Sequence, residues 1–308
     1  MRACLPVFGV VAAIASLAAQ QPPARVERPF QSGIELTSIT ATVTDGEGHL
    51  VADLPREAFE VFEDGDRQEI TQFTRERVPV GLGVLLDISD SMFGRRLDEA
   101  RAAVDRFLFD LLDPADEFFL MAFNHKPRPL TGWTQARGDV QRALAGLQAT
   151  GGTAIYDAIV ESMPLVDART RARAALLVIS DGADTASTAT LRDVRSALLR
   201  SDAFIYAIAI DSPERQPINT RVNAQVLREI TAESGGRTEI VRSSADLVEA
   251  TARIAQELNS QYVLGYTSPR GADNQFHSIR LRIRGAGGGE YRVRSRNGYI
   301  AAPLRRRR

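Results

Sequence analysis

The chain has 308 residues, 44% of them hydrophobic and 25% charged, which is the make-up of a globular protein long enough for two packed units and excludes wholesale disorder and fibrous repeats. A formal net charge of −1 supplies no global basic field to draw nucleic acid, so no nucleic-acid partner is expected. Lys126 is the only lysine among 38 basic residues, and the interspersed arginines read as a solvated surface.

At the start, Arg2 precedes an apolar stretch from Leu5 to Leu17, and Ser16-Leu17-Ala18 offers small residues around a cleavage point. Residues 1–18 are therefore predicted to be a secretory signal, the stretch being too short for a spanning helix. An uncleaved anchor is the alternative. Residues 19–33, with Gln20-Gln21-Pro22-Pro23, read as a linker. Cys4, the one cysteine, would leave with the signal, which excludes disulfides, thiol catalysis and thiolate metal ligation in the mature chain. The expected location is the periplasm, the cell envelope or the exterior, with no transmembrane span after cleavage.

Residues 34–78 follow a period near two: Ile39, Ala41 and Val43 alternate with threonines, and Phe59, Val61 and Phe62 precede Asp64-Gly65-Asp66. This predicts a β segment. Asp45-Gly46-Glu47-Gly48 reads as a hairpin turn rather than a calcium loop, because no further carboxylates follow at loop spacing.

From Val80 the pattern changes. Val80 to Asp87 is a nearly continuous apolar run, as in a strand buried on both faces of a parallel sheet. Leu97 to Leu112 has helical spacing, Glu117 to Phe123 reads as a strand, and Val140 to Leu147 and Ala154 to Val166 as helices. Ala174 to Ile179 (strand), Leu191 to Leu199 (helix), Ala203 to Ile210 (strand) and Ala224 to Ala232 (helix) continue the alternation. Thr238 to Val241, the helix Ala245 to Leu258 and the strand Tyr262 to Tyr266 complete it. Residues 79–268 are thus predicted to be a doubly wound α/β domain.

In residues 269–303 the period returns to two, with Ile279, Leu281 and Ile283 alternating with arginines, and Gly285 to Gly289 as a hairpin loop. The arginine face reads as solvated opposite a packed one. Each flanking β segment is too small to bury a core alone, so 269–303 is expected to pair with 34–78, the α/β domain being inserted between them. Residues 304–308 read as a basic frayed tail.

Three segments place oxygen-bearing side chains where an open parallel sheet binds ligands, beyond the carboxyl ends of its strands. They are Asp87-Ile88-Ser89-Asp90-Ser91, Gly151-Gly152-Thr153 and Ser180-Asp181-Gly182. If the strands are neighbours, Asp87, Ser89, Ser91, Thr153 and Asp181 converge into a set of hard oxygen ligands without His or Cys. Such a set favours Mg²⁺, or Mn²⁺ or Ca²⁺, over zinc, and leaves a position open to water or to a partner's acidic group.

These three pieces in this order resemble the metal-ion-dependent adhesion site of von Willebrand factor A domains, over roughly Val80 to Tyr266, about three fifths of the chain. More narrowly, Ala58-Phe-Glu-Val-Phe-Glu-Asp-Gly65 and Tyr262-Val-Leu-Gly-Tyr266 resemble exported bacterial proteins with a von Willebrand factor A-related domain, best represented among acidobacteria. The resemblance implies a Rossmann-like fold and cation-dependent binding of a protein ligand whose Asp or Glu completes the metal shell, without turnover. Asp90 departs from the small residue usual there, and an outward rotamer is expected of it.

Two other classes compete. A metal-dependent phosphohydrolase would use Asp87 as nucleophile and Asp181 as metal ligand, but Asp90 follows Asp87 by three residues rather than two and Lys126 lies outside a phosphate-holding context. A structural envelope protein would use the cation to stabilise its fold alone. Serine-hydrolase and phosphate-loop motifs are absent. His49, His125 and His277 lack ligand spacing and read as loop or surface residues, and Trp133 as a packed loop aromatic. Met92 and Phe93, just past the first motif, are either a partner-facing rim or buried under the adjoining helix. Oligomeric state is not legible.

Overall fold

A computed structural model describes residues 36–181, 183–211, 224–270, 273–284 and 290–301. The predicted signal, the linker, the 285–289 loop and the basic tail lie outside the described residues. Strands β1 (Leu36–Thr44), β2 (Phe59–Glu63), β3 (Asp66–Gln68) and β4 (Ile70–Thr74) come first. Next is β5 (Val80–Asp87), with every residue buried. Helix α1 (Arg95–Arg106) runs into a π-type turn at Phe107–Leu111, followed by β6 (Glu117–Phe123) and β7 (Pro127–Pro129). Helices α2 (Arg137–Ala145) and α3 (Ile155–Asp167) precede β8 (Arg173–Ser180) and α4 (Leu191–Leu199). Then come β9 (Phe204–Ile210), α5 (Ala224–Ser234), β10 (Thr238–Val241) and α6 (Ser244–Asn259). The chain closes with β11 (Tyr262–Thr267), β12 (Phe276–Ile283), β13 (Arg292–Arg294) and β14 (Gly298–Ile300).

The central sheet has the order β10-β9-β8-β5-β6-β7. All its pairs are parallel except β6 with β7, which is antiparallel. β5 lies between β6 and β8, and helices cover both its faces. Leu82, Val84 and Leu86 pack into one apolar layer with residues of α1, α2 and α6. Leu85 packs into the opposite layer with residues of α3, α4 and α5. This is the α/β class expected of continuous apolar strands separated by amphipathic helices.

Strands from both ends of the chain form two further four-stranded sheets, β13-β1-β11-β4 and β14-β12-β2-β3. They enclose one apolar core in which Ile39 and Val43 meet Val61, Leu264, Ile279 and Leu281. The outward residues of β12, Arg280 and Arg282, are exposed while Ile279 and Leu281 are buried. Beside this core a polar knot ties the sheets together: buried Glu257 accepts hydrogen bonds from Tyr206 Oη (2.8 Å) and Thr42 Oγ1 (3.3 Å) and pairs with Arg294. Buried Arg173 donates to Val78 O at 2.8 Å and to Leu258 O at 3.0 Å, and burial lowers its pKa to about 10.

Two readings made from the sequence are overturned. Tyr262–Thr267 does not extend the parallel series; it pairs antiparallel with β1 and β4, because Tyr262, Leu264 and Tyr266 point into the core shared with Ile39, Phe59 and Ile70. His277 is not a surface residue: it is buried, with Nδ1 2.8 Å from Asp64 Oδ2 and Nε2 3.2 Å from Asp273 Oδ1. Trp133 packs edge-on against Phe119 with ring centroids 4.8 Å apart, and its Nε1–H donates to Leu165 O at 3.0 Å.

Candidate metal centre

Parallel pairing aligns the carboxyl ends of β5 and β8, so the last residue of β5, Asp87, emerges beside Ser180 and Asp181 at the end of β8. Asp87 is wholly enclosed. Its Oδ1 accepts the Ser89 backbone N–H at 2.8 Å, and its Oδ2 accepts the Ser180 hydroxyl. The chain then tightens into a short helical turn, Asp90–Met92, which swings Ser89 and Ser91 to the same side, their hydroxyl oxygens 3.0 Å apart. The Ser91 hydroxyl donates to Asp181 Oδ1 at 2.6 Å. Four of the five residues singled out by sequence therefore form one unbroken string of polar contacts, Asp87 to Ser89 to Ser91 to Asp181.

Thr153 lies on the adjoining loop and is buried. That loop is latched to the first motif by two backbone bonds, Thr150 N–H to Ile88 O at 2.8 Å and Asp90 N–H to Gly151 O at 2.9 Å. Gly151 makes the latch feasible: its φ is +79°, and a Cβ there would sit 2.9 Å from His125 Nδ1. On its other side Thr153 O accepts N–H groups of Thr185 (2.8 Å) and Ala186 (3.0 Å) from the loop after β8. Among the described residues the Thr153 hydroxyl makes no hydrogen bond to the other four; the loop's backbone bonds and the Thr153 N–H donating to Thr185 Oγ1 at 3.0 Å set its place.

The electrostatics of the string are uneven. Burial, opposed by the Ser180 and Ser89 bonds and reinforced by the charge of Asp181, pushes the Asp87 carboxyl up to about 7. Asp181 is equally enclosed, but its Oδ2 accepts Arg96 Nη1 at 2.7 Å. A desolvated carboxylate held by neutral donors next to a second carboxylate is an environment that a hard cation would relieve, and the hydroxyl and carboxylate donors present suit Mg²⁺, Mn²⁺ or Ca²⁺. Gly182 is outside the described residues.

Two contributors were not assigned from sequence. Ser180 stands within the quoted motif, yet only the structure shows its hydroxyl on Asp87. Arg96 offered no signal, being one arginine among many and separated from Asp181 by 85 positions. The rim is resolved: Met92 is fully buried, whereas Phe93 is 78% exposed. Asp90 is exposed, its side chain outside the string. Asp45, Glu47 and His49 bring potential ligand atoms within 4.8 Å of one another. Asp45 Oδ1 accepts the backbone N–H groups of Glu47 (3.0 Å) and His49 (2.8 Å), which accounts for that cluster as a capped turn.

Comparison with known proteins agrees with this architecture. Residues 82–183 match the von Willebrand factor type A domain family. A von Willebrand factor type A structure from Catenulispora acidiphila superposes with a TM-score of 0.52 at 15% identity, covering 87% of this chain and 75% of that one. An aerotolerance-related membrane protein from Bacteroides fragilis gives a TM-score of 0.50 at 21% identity over 58% of this chain and 98% of that one. Human inter-alpha-trypsin inhibitor heavy chain H4 is 21% identical over 225 residues, 68% of this chain and 24% of that protein. The chain thus spans about a quarter of the length of this curated relative.

Proposed function

Because the chain carries a von Willebrand factor type A domain, we propose that it is a binding module that captures a carboxylate of a protein partner at a divalent cation held by Asp87, Ser89, Ser91, Thr153 and Asp181. The observation that carries this reading is the string of contacts from Asp87 through both serines to Asp181, enclosed at the end of the central strand. When bound, the cation supplies a Lewis-acidic coordination position for an Asp or Glu side chain. The protein's own groups do the rest. The Ser89 and Ser91 hydroxyls offer oxygen without charge, so the cation's attraction for an anion is little quenched. Asp87 anchors the loop through the Ser89 N–H, and the latch at Gly151 presents Thr153. Exposed Phe93 gives the rim an apolar contact that a protein partner can cover.

Binding without turnover is the reading favoured over phosphoryl transfer. Asp87 is enclosed and held at both oxygens, a poor disposition for an attacking nucleophile. A fold-stabilising cation is the second reading, favoured by the complete burial of Asp87. The composition of residues 1–18 supports export, and among the described residues no helix is long and apolar enough to cross a membrane.

Calorimetric titration of the purified protein with Mn²⁺ and Mg²⁺ tests the metal. Saturable binding in wild type that disappears in Asp87→Ala supports the site, and no binding at millimolar metal defeats it. Ser89→Ala separates binding from structure: loss of metal-dependent partner capture with an unchanged melting temperature supports adhesion, whereas a lowered melting temperature as the main effect supports the structural role. Metal-dependent hydrolysis of an aryl phosphate would overturn the binding reading in favour of an enzyme.

A further inference from the structure

Arg96 occupies the first turn of α1, five residues past Ser91, and is 8% exposed. Its Nη1 donates to Ser91 O at 2.8 Å and to Asp181 Oδ2 at 2.7 Å. The other oxygen of Asp181 already accepts the Ser91 hydroxyl. Both oxygens of Asp181 are therefore engaged by the chain itself, one of them by a full positive charge with almost no solvent around the pair. Asp87 has only neutral donors among the described residues. An arginine cannot shed its proton to relieve a nearby cation, so its charge is a fixed element of the site.

Resting on the metal reading above, we propose that Arg96 is an internal counter-cation that weakens the site's hold on a bare divalent ion and makes retention of that ion depend on an acidic partner. The charge count carries the argument. With both aspartates ionised, as ligation of a cation requires, two carboxylates and one guanidinium leave the site with a single negative charge, so a dication makes it net positive, and one carboxylate from outside restores neutrality. Without Arg96 the two aspartates neutralise the dication by themselves, and an incoming carboxylate brings surplus negative charge into an enclosed place. Arg96 thus converts a metal site into one that prefers metal and anion together. Because Arg96 also holds the Ser91 carbonyl, it couples this charge to the position of the serine loop.

The test uses the full chain, Mn²⁺ as metal and acetate as the carboxylate probe, with free Mn²⁺ read by electron paramagnetic resonance. Arg96→Gln is expected to bind Mn²⁺ about tenfold more tightly than wild type in the absence of acetate, and Arg96→Lys to stay near wild type. Acetate is expected to tighten Mn²⁺ binding several-fold in wild type and little in Arg96→Gln. Equal or weaker Mn²⁺ affinity in Arg96→Gln that melts like wild type in chelator overturns this inference and leaves the metal reading standing. If Arg96→Gln does not fold, Arg96→Met is read by the same criteria, and wild-type Mn²⁺ affinity indifferent to acetate overturns the inference in either case. Absence of Mn²⁺ binding in both proteins removes the metal reading and this inference together.

Discussion

Asp87 illustrates how one side chain can trade stability for capacity to bind. Enclosing its carboxylate among neutral donors costs free energy, visible in a pKa pushed up to about 7, and no ion pair with Asp87 offsets that cost among the described residues. Asp87→Asn removes the charge while keeping the shape. In chelator it is expected to melt within about 3 °C of wild type or above it, while the gain from saturating Mn²⁺, about 2.7 kcal/mol at a hundredfold excess over Kd, is lost; scanning calorimetry with and without metal checks both. His277 makes the opposite bargain. Burial alone would lower its pKa, but hydrogen bonds from its ring to Asp64 and Asp273 outweigh that and raise it above 6.5, while Asp64 is held below 3.8 chiefly by its bond to His277. The histidine's contribution is complete below pH 6.5 and is lost as pH rises through its raised folded value. The Asp64 contribution is present above pH 3.8 and is lost as pH falls through its lowered one. His277→Gln is therefore expected to cost about 1 kcal/mol near pH 5 and clearly less near pH 9. Urea titrations across that range would contradict this if the cost were constant or rose with pH.

Among the elements, β5 is closely packed on both faces, and Gly83 shows how closely. A Cβ on Gly83 would lie 2.3 Å from Phe119 Cζ and 2.5 Å from Leu176 Cδ2. Gly83→Ala is expected to lose about 1–3 kcal/mol by overpacking, with Mn²⁺ affinity barely altered; a stability equal to wild type in denaturant titration would contradict the packing argument. Strands such as β5, β6 and β8 were legible because burial on two faces writes itself as an unbroken apolar run. Strand β7 was hidden, being three residues with two prolines at a sheet edge. β11 was seen as a strand but placed in the wrong sheet, since an alternation of Tyr262, Leu264 and Tyr266 fits an inward face of either kind. Helix α1 was read from Leu97 because apolar spacing begins there, and Arg95 and Arg96, which start it, carry no apolar signal. The same limit applies to the candidate site: Asp87, Ser89, Ser91 and Asp181 declare themselves by residue type at strand ends, whereas Arg96 and Ser180 act through contacts 85 and 93 positions long.

At the scale of the molecule, the α/β layers and the two smaller sheets are joined through shared polar burial as well as through the chain. Glu257 on α6 reaches β9 through Tyr206, β1 through Thr42 and β13 through Arg294. Glu257→Ala would leave Arg294 short of its closest anionic partner and Tyr206 and Thr42 without their acceptor, and is expected to cost about 1.5–3 kcal/mol. It would be detected as a single unfolding transition displaced to lower denaturant; no displacement would show that the knot contributes little. Limited proteolysis addresses the same joint: after cleavage near Pro79 and Pro269 the two terminal β pieces are expected to stay associated, and free separation would contradict their common core.

The chain passes from β4 into β5 at one end of that strand, and the candidate centre sits at its other end, seven residues along, roughly 23 Å away. A pull on a captured partner would run down the axis of β5, where parallel bonds to β6 and β8 resist sliding all at once instead of opening one by one. That geometry is suited to holding under tension, and single-molecule stretching between Phe93 and the β4 edge would register it as a high rupture force.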